Sequence, residues 1–361
     1  MNSEKLFKYC AIAIFLNGLL LSLGASLSIS APLGTDVFYH LELAEEYARG
    51  ENAMLGFFNM IHNHSPYPPI LHLLLVPSVW FGMEFSFTRL LQVVFFSGTL
   101  GGLMLAVYKY CGAKTSALSG MILLSSPAFI GETVIQVKPQ SLVMLLSVLM
   151  LYFYLEDKRK SYLLASIVSV YTWSIASFGF AYGLLAYRIR EKKWFITALL
   201  FVIACLPLAF LTLKYSDFPA MFSRWGNEQG TLGVTVSPKL LILQNPLYLI
   251  LYLGSPILGI PCLVWSLAKW KTQTKYTRAL SIILLSSFPL AIIWVDRWVQ
   301  CSSLFLTFLF ADWLSKRKGF VYGFISIILL TVFIFWSLNY WWVTATGNWF
   351  SAGSNTWWNA P

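Results

Sequence analysis

The segment GTDVFYHLELAEEYARG, residues 34–50, follows closely on the first long apolar run of the chain, at about 10–29. It places one carboxylate, that of Asp36, a few residues beyond the end of this run. From Phe38 onward, apolar residues recur every three to four positions until Gly50, which predicts a short amphipathic helix with a glycine stop. An apolar run followed by such a helix indicates a membrane span that leads into a helical loop at the membrane surface.

The composition of the whole chain excludes a soluble globular protein. Of the 361 residues, 58% are hydrophobic and 11% are charged, whereas charged residues make up about a quarter of a typical globular chain. The aromatic share of 17% suits belts of Trp and Tyr at membrane interfaces. The five cysteines include no CxxC pair, so neither a disulfide framework nor a zinc site is predicted from them. The chain is therefore predicted to be an all-α polytopic membrane protein.

Apolar runs close to the length that crosses a bilayer recur from one end of the chain to the other. We predict one transmembrane domain, 1–361, with about 11 transmembrane helices at approximately 10–29, 88–108, 115–131, 139–155, 161–176, 177–188, 194–213, 246–268, 279–295, 298–313 and 319–339. The first run resembles a signal peptide in its flanking charge, but it is longer than a signal core, which favours an uncleaved anchor. Gly179 and Gly183 predict a tight turn within the long apolar tract 161–188.

The distribution of charge predicts how the chain is oriented in the plasma (inner) membrane. With the N-terminus in the cytoplasm, the outer segments hold only seven of the 25 Lys and Arg residues but ten of the 15 acidic residues. Both biases follow the positive-inside pattern and place the Trp-rich tail outside. The net charge of +10 forms no basic stripe interleaved with stacking aromatics, so nucleic-acid binding is not predicted.

Two outer segments, 31–87 and 214–245, are long enough to carry a site, and all four histidines lie in the first. A carboxylate such as Asp36, placed where the chain leaves the lipid, is partly desolvated, which suits a general base. The stretch Pro66 to Pro69 then opens a second short helix, ILHLLLVPSVWFG, which we expect to lie along the outer interface. The first outer loop is therefore the predicted centre of function, with juxtamembrane helices in it.

Residues 34–50, together with YPPILHLLLVPSVWFGMEFSFTRLLQVVFFSGTL (67–100), resemble the opening of GT-C-fold glycosyltransferases that use polyprenyl-phosphate sugars. That group includes protein mannosyltransferases and lipid A aminoarabinose transferases. The likeness continues in LLSSPAFIGETVIQVKPQSLVMLLSVLMLYFYLEDKRK (123–160), and it covers about 31–195, with the remainder similar only in pattern. Two departures stand out: Gln140 follows Pro139 where many members have an acid, and Asp36 has no acidic neighbour.

The resemblance implies a GT-C-like fold and the transfer of a sugar from a polyprenyl-phosphate carrier to a glycan, lipid or protein acceptor on the extracytoplasmic face of the membrane. Asp36 is then the general base. The candidate cations for the donor phosphate are Lys138, Arg297, Arg89 and Arg224. The candidate acceptor or substrate contacts are His40, His62, His64, Tyr67 and Glu132. No cofactor is required by the pattern, although Asp36, His62 and His64 are candidate ligands of a divalent metal.

Simpler roles stay open for several of these residues. Asp36 can cap the helix that follows it, Lys138 can anchor the outer interface, and Arg297 can pair with Asp296. His72 is expected to be an interface residue on an apolar helix. Two other functions also stay open. A transporter or flippase of lipid-linked sugars predicts ionisable residues deep within the spans, of which there are almost none. A non-catalytic scaffold is the third, favoured by the two departures. The sequence leaves the sugar and the acceptor open.

Overall fold

The structure, a computed structural model, describes residues 3–28, 36–50, 69–134, 137–215, 250, 253–293 and 295–346. These residues form 14 α-helices and two short 3-10 helices, and no strand occurs among them. The α-helices are α1 (Ser3–Leu27), α2 (Asp36–Ala48), α3 (Ile70–Trp80), α4 (Glu84–Cys111), α5 (Ala113–Leu124), α6 (Pro127–Thr133), α7 (Pro139–Leu155), α8 (Arg159–Val170), α9 (Ser174–Tyr187), α10 (Lys192–Tyr215), α11 (Gly259–Ala268), α12 (Lys275–Ile293), α13 (Val295–Ser315) and α14 (Phe320–Thr346). The 3-10 helices are Ser255–Leu258 and Trp270–Thr272.

Helices occupy most of the described part of every predicted span, which confirms the all-α polytopic prediction. By length and composition, 4 of them could cross a membrane unaided: Ser3–Leu27, Glu84–Cys111, Lys192–Leu211 and Tyr322–Thr346. Several other helices are apolar but shorter. The predicted span at 115–131 is divided into α5 and α6, because Ser126 caps a new helix that begins at Pro127.

The predicted turn at Gly179 and Gly183 is wrong, since both glycines lie inside α9 and the chain turns earlier, between Val170 and Ser174. The glycines instead allow α9 to pack closely on α12. A Cβ added at Gly183 would stand 2.5 Å from the Cβ of Ser286 and closer still to its hydroxyl oxygen. Small residues at such a crossing let two membrane helices approach closely. Close packing of the helices, and not a turn, therefore accounts for the glycine at position 183.

Loops predicted to be cytoplasmic meet at one end of the bundle. Lys109 Nζ at the end of α4 lies 2.8 Å from a carboxylate oxygen of Glu156, which follows α7. Lys114 Nζ at the start of α5 donates to the Ser315 carbonyl at the end of α13, over 3.2 Å. Lys275 Nζ at the start of α12 likewise donates to the Leu155 carbonyl, over 3.4 Å. These contacts agree with the prediction that the loops lie on the same side of the membrane. Which side faces the cytoplasm stays a prediction.

A smaller apolar cluster lies toward the opposite end of α7. It joins residues of α2 and α3 to the N-terminal halves of α4 and α7. Its buried members are Val37, Leu41, Ala44, Leu71, Leu75, Phe95, Val137, Leu142 and Leu146. Because α7 has 17 residues, its two ends are about 25 Å apart. The two helices of the first outer loop therefore cover the end of the bundle away from the basic loops.

Candidate functional site

Helix α2 confirms the predicted short helix and begins at the predicted catalytic residue, Asp36. Three of its buried side chains, Val37, Leu41 and Ala44, recur at the spacing that forms one face of a helix. This face packs on α3 through Leu71 and Leu75 in the smaller cluster. The chain then turns at Gly50, whose φ of 67° is left-handed and favours glycine. Apolar packing on α3 thus sets the place of α2.

Helix α3 is anchored at its first residue and buries one face. The Ile70 amide donates to the Tyr171 carbonyl, over 3.1 Å, which ties α3 to the turn between α8 and α9. His72 and Leu75 are buried, whereas Leu73 and Trp80 are exposed and present apolar surface outward. That division fits the predicted juxtamembrane placement, which stays a prediction.

The two helices are joined by a pair of histidines. His40 Nδ1 and His72 Nε2 lie 2.9 Å apart, a hydrogen bond in which the tautomers decide which ring donates. The side chains are 2% and 0% exposed. The prediction that His72 lies at the interface is therefore wrong: α3 is apolar on nearly every side, so hydropathy did not reveal which face is covered. Burial, followed by the neighbouring His40, holds the pKa of His72 well below its usual range.

Lys138 lies directly before α7, beside the same cluster. Its side chain is 8% exposed, and its backbone is extended, with φ of −130° and ψ of 161°. The Lys138 amide donates to Ser141 Oγ over 3.4 Å, and Pro139 begins the helix. Its neighbour Val137 belongs to the cluster that contains Val37 of α2. A buried lysine therefore lies at the N-terminus of α7, next to the cluster that contains α2. Its burial is not explained by the simpler predicted role, in which Lys138 anchors the outer interface.

Two buried amides at this end were not expected from the sequence. Gln140 and Gln92 are 4% and 3% exposed, and within the described structure Gln140 Oε1 and Gln92 Nε2 have no hydrogen-bond partner. Helices α4 and α7 run side by side with Gly98 against Leu145 and Gly102 against Val148, so Gln92 lies level with the first turn of α7. A buried polar atom without a partner costs about 1–3 kcal/mol. The signal for Gln92 was a polar residue inside an apolar run.

The remaining predicted residues are not brought together within the described structure. Arg89 is half-buried on α4, one turn before Gln92. Arg297 and Glu132 lie in α13 and α6, but their side chains, like that of Asp36, lie outside the described part. Four further candidates lie outside the described residues altogether: His62, His64, Tyr67 and Arg224. Of the three predicted metal ligands, the structure therefore describes only the backbone of Asp36. Among the described side chains, no group of three or more His, Cys, Asp or Glu could hold a metal.

Comparison with solved structures identifies the architecture. The chain is similar to the crystal structure of ArnT from Cupriavidus metallidurans bound to undecaprenyl phosphate, with a TM-score of 0.56 and 18% identity. The apo state of the same protein matches with a TM-score of 0.54 and 17% identity. The chain has the GT-C fold. The two alignments cover 85% of this chain, which spans 60% of the length of the ArnT chains.

At this identity the likeness to ArnT shows the fold alone. No protein-family model matches the chain, and no curated protein sequence does either. The GT-C-like fold that the resemblance in residues 34–50 and 67–100 implied is confirmed, and helices α2, α3 and α4 are all present there. The activity is therefore argued from the residues of the first outer loop and their neighbours.

Proposed function

We propose that this chain is a GT-C-type glycosyltransferase of the plasma (inner) membrane, which moves a sugar from a polyprenyl-phosphate carrier to an acceptor on the extracytoplasmic face. One observation carries the proposal: α2, which begins at Asp36, packs in the same apolar cluster as Val137, the residue directly before the buried Lys138. A carboxylate that accepts a proton and a cation that receives a leaving phosphate are the two groups this transfer needs. ArnT, which shares the fold, has been crystallised with undecaprenyl phosphate.

In the proposed reaction Asp36 removes a proton from a hydroxyl or amine of the acceptor. The acceptor oxygen or nitrogen then forms a bond to the anomeric carbon of the sugar. The bond between this carbon and the phosphate oxygen breaks, and the electron pair leaves with the lipid phosphate. Lys138 stabilises the developing charge, with Arg89, Arg297 and Arg224 as further proposed cations. Because Lys138 is buried, water screens its charge less than that of a surface lysine.

The other loop residues belong to the proposal as contacts of the substrates. His62, His64, Tyr67 and Glu132 are proposed to line the acceptor side, and Asp36, His62 and His64 to bind a divalent metal if one is required. His40 was predicted to contact the acceptor or the phosphate, but its ring is buried against His72. A chelator series during turnover separates a metal requirement from the roles of the protein side chains.

The decisive experiment compares the wild-type protein with Asp36→Asn in lipid nanodiscs, using a panel of polyprenyl-phosphate sugars and measuring release of the lipid phosphate. General-base catalysis contributes about 10²–10⁴ in rate, so the variant should lose at least 100-fold in turnover and still bind the donor. The matched control is Glu45→Gln, an exposed carboxylate on the same helix, which should keep full turnover. Equal turnover by Asp36→Asn and wild type, or no binding of any lipid-linked donor by the wild type, would overturn the proposal.

The same protein, reconstituted into vesicles, distinguishes transport of the lipid-linked sugar across the bilayer from transfer of the sugar to an acceptor. A flippase would move the lipid-linked sugar between leaflets without breaking its bond to phosphate. Movement of intact donor with no phosphate release, unchanged by Asp36→Asn, would favour that second function.

A further inference from the structure

The contact between α2 and α3 combines an apolar layer with one buried histidine pair. The layer is formed by Leu41 and Ala44 of α2 against Leu71 and Leu75 of α3. Apolar side chains hold two helices together but tolerate sliding, because burial of apolar surface has no preferred direction. The hydrogen bond between His40 and His72 is directional and therefore fixes how far α2 is rotated and shifted on α3.

We propose that His40 and His72 are a positioning pair: two neutral imidazoles, sharing one hydrogen bond, hold α2 on α3 and so fix the first turn of α2, where Asp36 lies. His40 follows Asp36 by four residues, one turn of the helix, so a shift at the pair moves that turn directly. The consequence for catalysis rests on the proposed function, whereas the docking of α2 does not. In this role His40 acts through the helix and not by touching a substrate.

The proton count excludes a doubly protonated pair, and the cost of burying a charge disfavours a singly protonated one. With one N–H and one lone pair between the rings, the 2.9 Å contact is a hydrogen bond. With both rings protonated, an N–H faces an N–H, and two cations stand 5.1 Å apart between ring centroids in a buried place. Both the contact and the charges then oppose docking.

The two tyrosine rings that the structure describes beside the pair add no charge to it. Between ring centroids, Tyr39 lies 5.3 Å from His40, and Tyr47 lies 6.3 Å from His72. Burial, followed by nearby Glu side chains, raises the pKa of both tyrosines to about 12, so they are neutral. At this end of the bundle, the other described titratable groups on the surrounding elements are Glu42, Glu45 and Glu46 on α2, Arg49 just after it, Glu84 and Arg89 near the start of α4, Lys138 before α7, and Tyr171 after α8. On α3 itself, His72 is the one titratable residue.

The direction of the pH effect follows from the lowered pKa of His72. A group whose pKa is lowered by docking favours the docked state fully above its ordinary value of 6.5, and this contribution is lost as the pH falls below it. Each proton taken up on undocking changes the ratio of docked to undocked helix by up to about tenfold per pH unit. Between pH 6.5 and pH 5, α2 is thus expected to become at least tenfold easier to release.

Hydrogen–deuterium exchange of the full-length protein in nanodiscs tests this without any substrate. The exchange of α2 amides, corrected for the intrinsic pH dependence and divided by that of α8, should rise at least tenfold from pH 7.5 to pH 5 in the wild type. His72→Gln, which keeps hydrogen-bonding groups but does not titrate, should exchange slowly at both pH values. His72→Leu should exchange fast at both. The matched control Glu45→Gln, which removes an exposed titratable group from α2, should keep the wild-type rise.

The inference is overturned if α2 of the wild type exchanges equally at both pH values, or if His72→Gln retains the full rise. A pH profile of phosphate release then adds the catalytic readout: the acid limb of kcat/KM should move to lower pH in His72→Gln. If exchange behaves as expected but the wild type turns over no donor, the proposed function fails and the pair stands. If turnover depends on Asp36 but exchange is flat, the pair fails alone.

Discussion

Replacing Lys138 with Met is expected to weaken the binding of a polyprenyl phosphate by about 10- to 100-fold. The size follows from its place in the fold. A hydrogen bond to a charged group contributes about 1.5–3 kcal/mol, and about 1.4 kcal/mol corresponds to a tenfold change in Kd. Lys138 is 8% exposed and lies at the N-terminus of a 17-residue helix, so solvent screens it weakly and the helix dipole adds to its charge.

The assay is titration of the lipid phosphate into nanodiscs that hold wild type, Lys138→Met or Lys138→Arg, with a thermal unfolding curve for each. Lys138→Arg should retain most of the affinity because it retains the charge. The control Lys158→Met removes an exposed lysine at the opposite end of α7 and should bind within about twofold of wild type, because its charge lies about 25 Å away. The loss in Lys138→Met should also persist at high ionic strength.

The reasoning is refuted if Lys138→Met melts like the wild type and still binds within twofold of it. It is refuted equally if Lys158→Met loses as much affinity, since a general attraction between a basic protein and an anionic lipid would then account for both.

Three further expectations concern the scaffold. Gly183→Ala should destabilise the protein by about 1–3 kcal/mol in mixed-micelle unfolding, because its Cβ meets Ser286, and Ser286→Gly in the same chain should restore most of the loss. The pKa of Glu191 is lowered from 4.5 by its hydrogen bond from Arg188. This pair therefore stabilises the fold above pH 4.5, and the stabilisation is lost as the pH falls. As a result, the Tm of the wild type should decline more steeply below pH 5 than the Tm of Arg188→Gln. Asn17→Leu should cost about 0.6–1.7 kcal/mol by removing the hydrogen bonds to α14, which unfolding of the same preparation measures against wild type.

The helices of the first outer loop could be predicted because local signals agree there. Apolar spacing from Phe38, the stop at Gly50 and the prolines before Ile70 define α2 and α3 within a few residues. The glycines of α9 misled for a physical reason: a glycine serves equally well in a turn and at a close helix crossing, and only the partner helix decides between them. The stronger local signal, Ser126 before Pro127, did mark a helix start.

The charged candidates were predicted because a leaving phosphate needs a cation on the outer side, and their roles stay predictions, whereas the buried polar residues were not predicted. Lys138 was a candidate because it is one of the few cations in the outer segments. The partner of His40 and the amides of Gln92 and Gln140 depend on which side of a nearly uniform apolar helix is covered. That information lies in tertiary packing, since residues far apart in the chain decide it.

The first and last described helices are joined within the membrane, since Trp341 Nε1 donates to Asn17 Oδ1 over 3.0 Å and Asn17 Nδ2 donates to Ser337 Oγ over 3.4 Å. The two ends of the first bond are separated by 324 positions in the chain. At a synthesis rate of about 5–20 residues per second, the Asn17 amide waits on the order of 15–60 s after its own insertion before α14 emerges. During biosynthesis, α1 therefore carries a side-chain amide in the membrane that lacks these partners until α14 has been made and inserted.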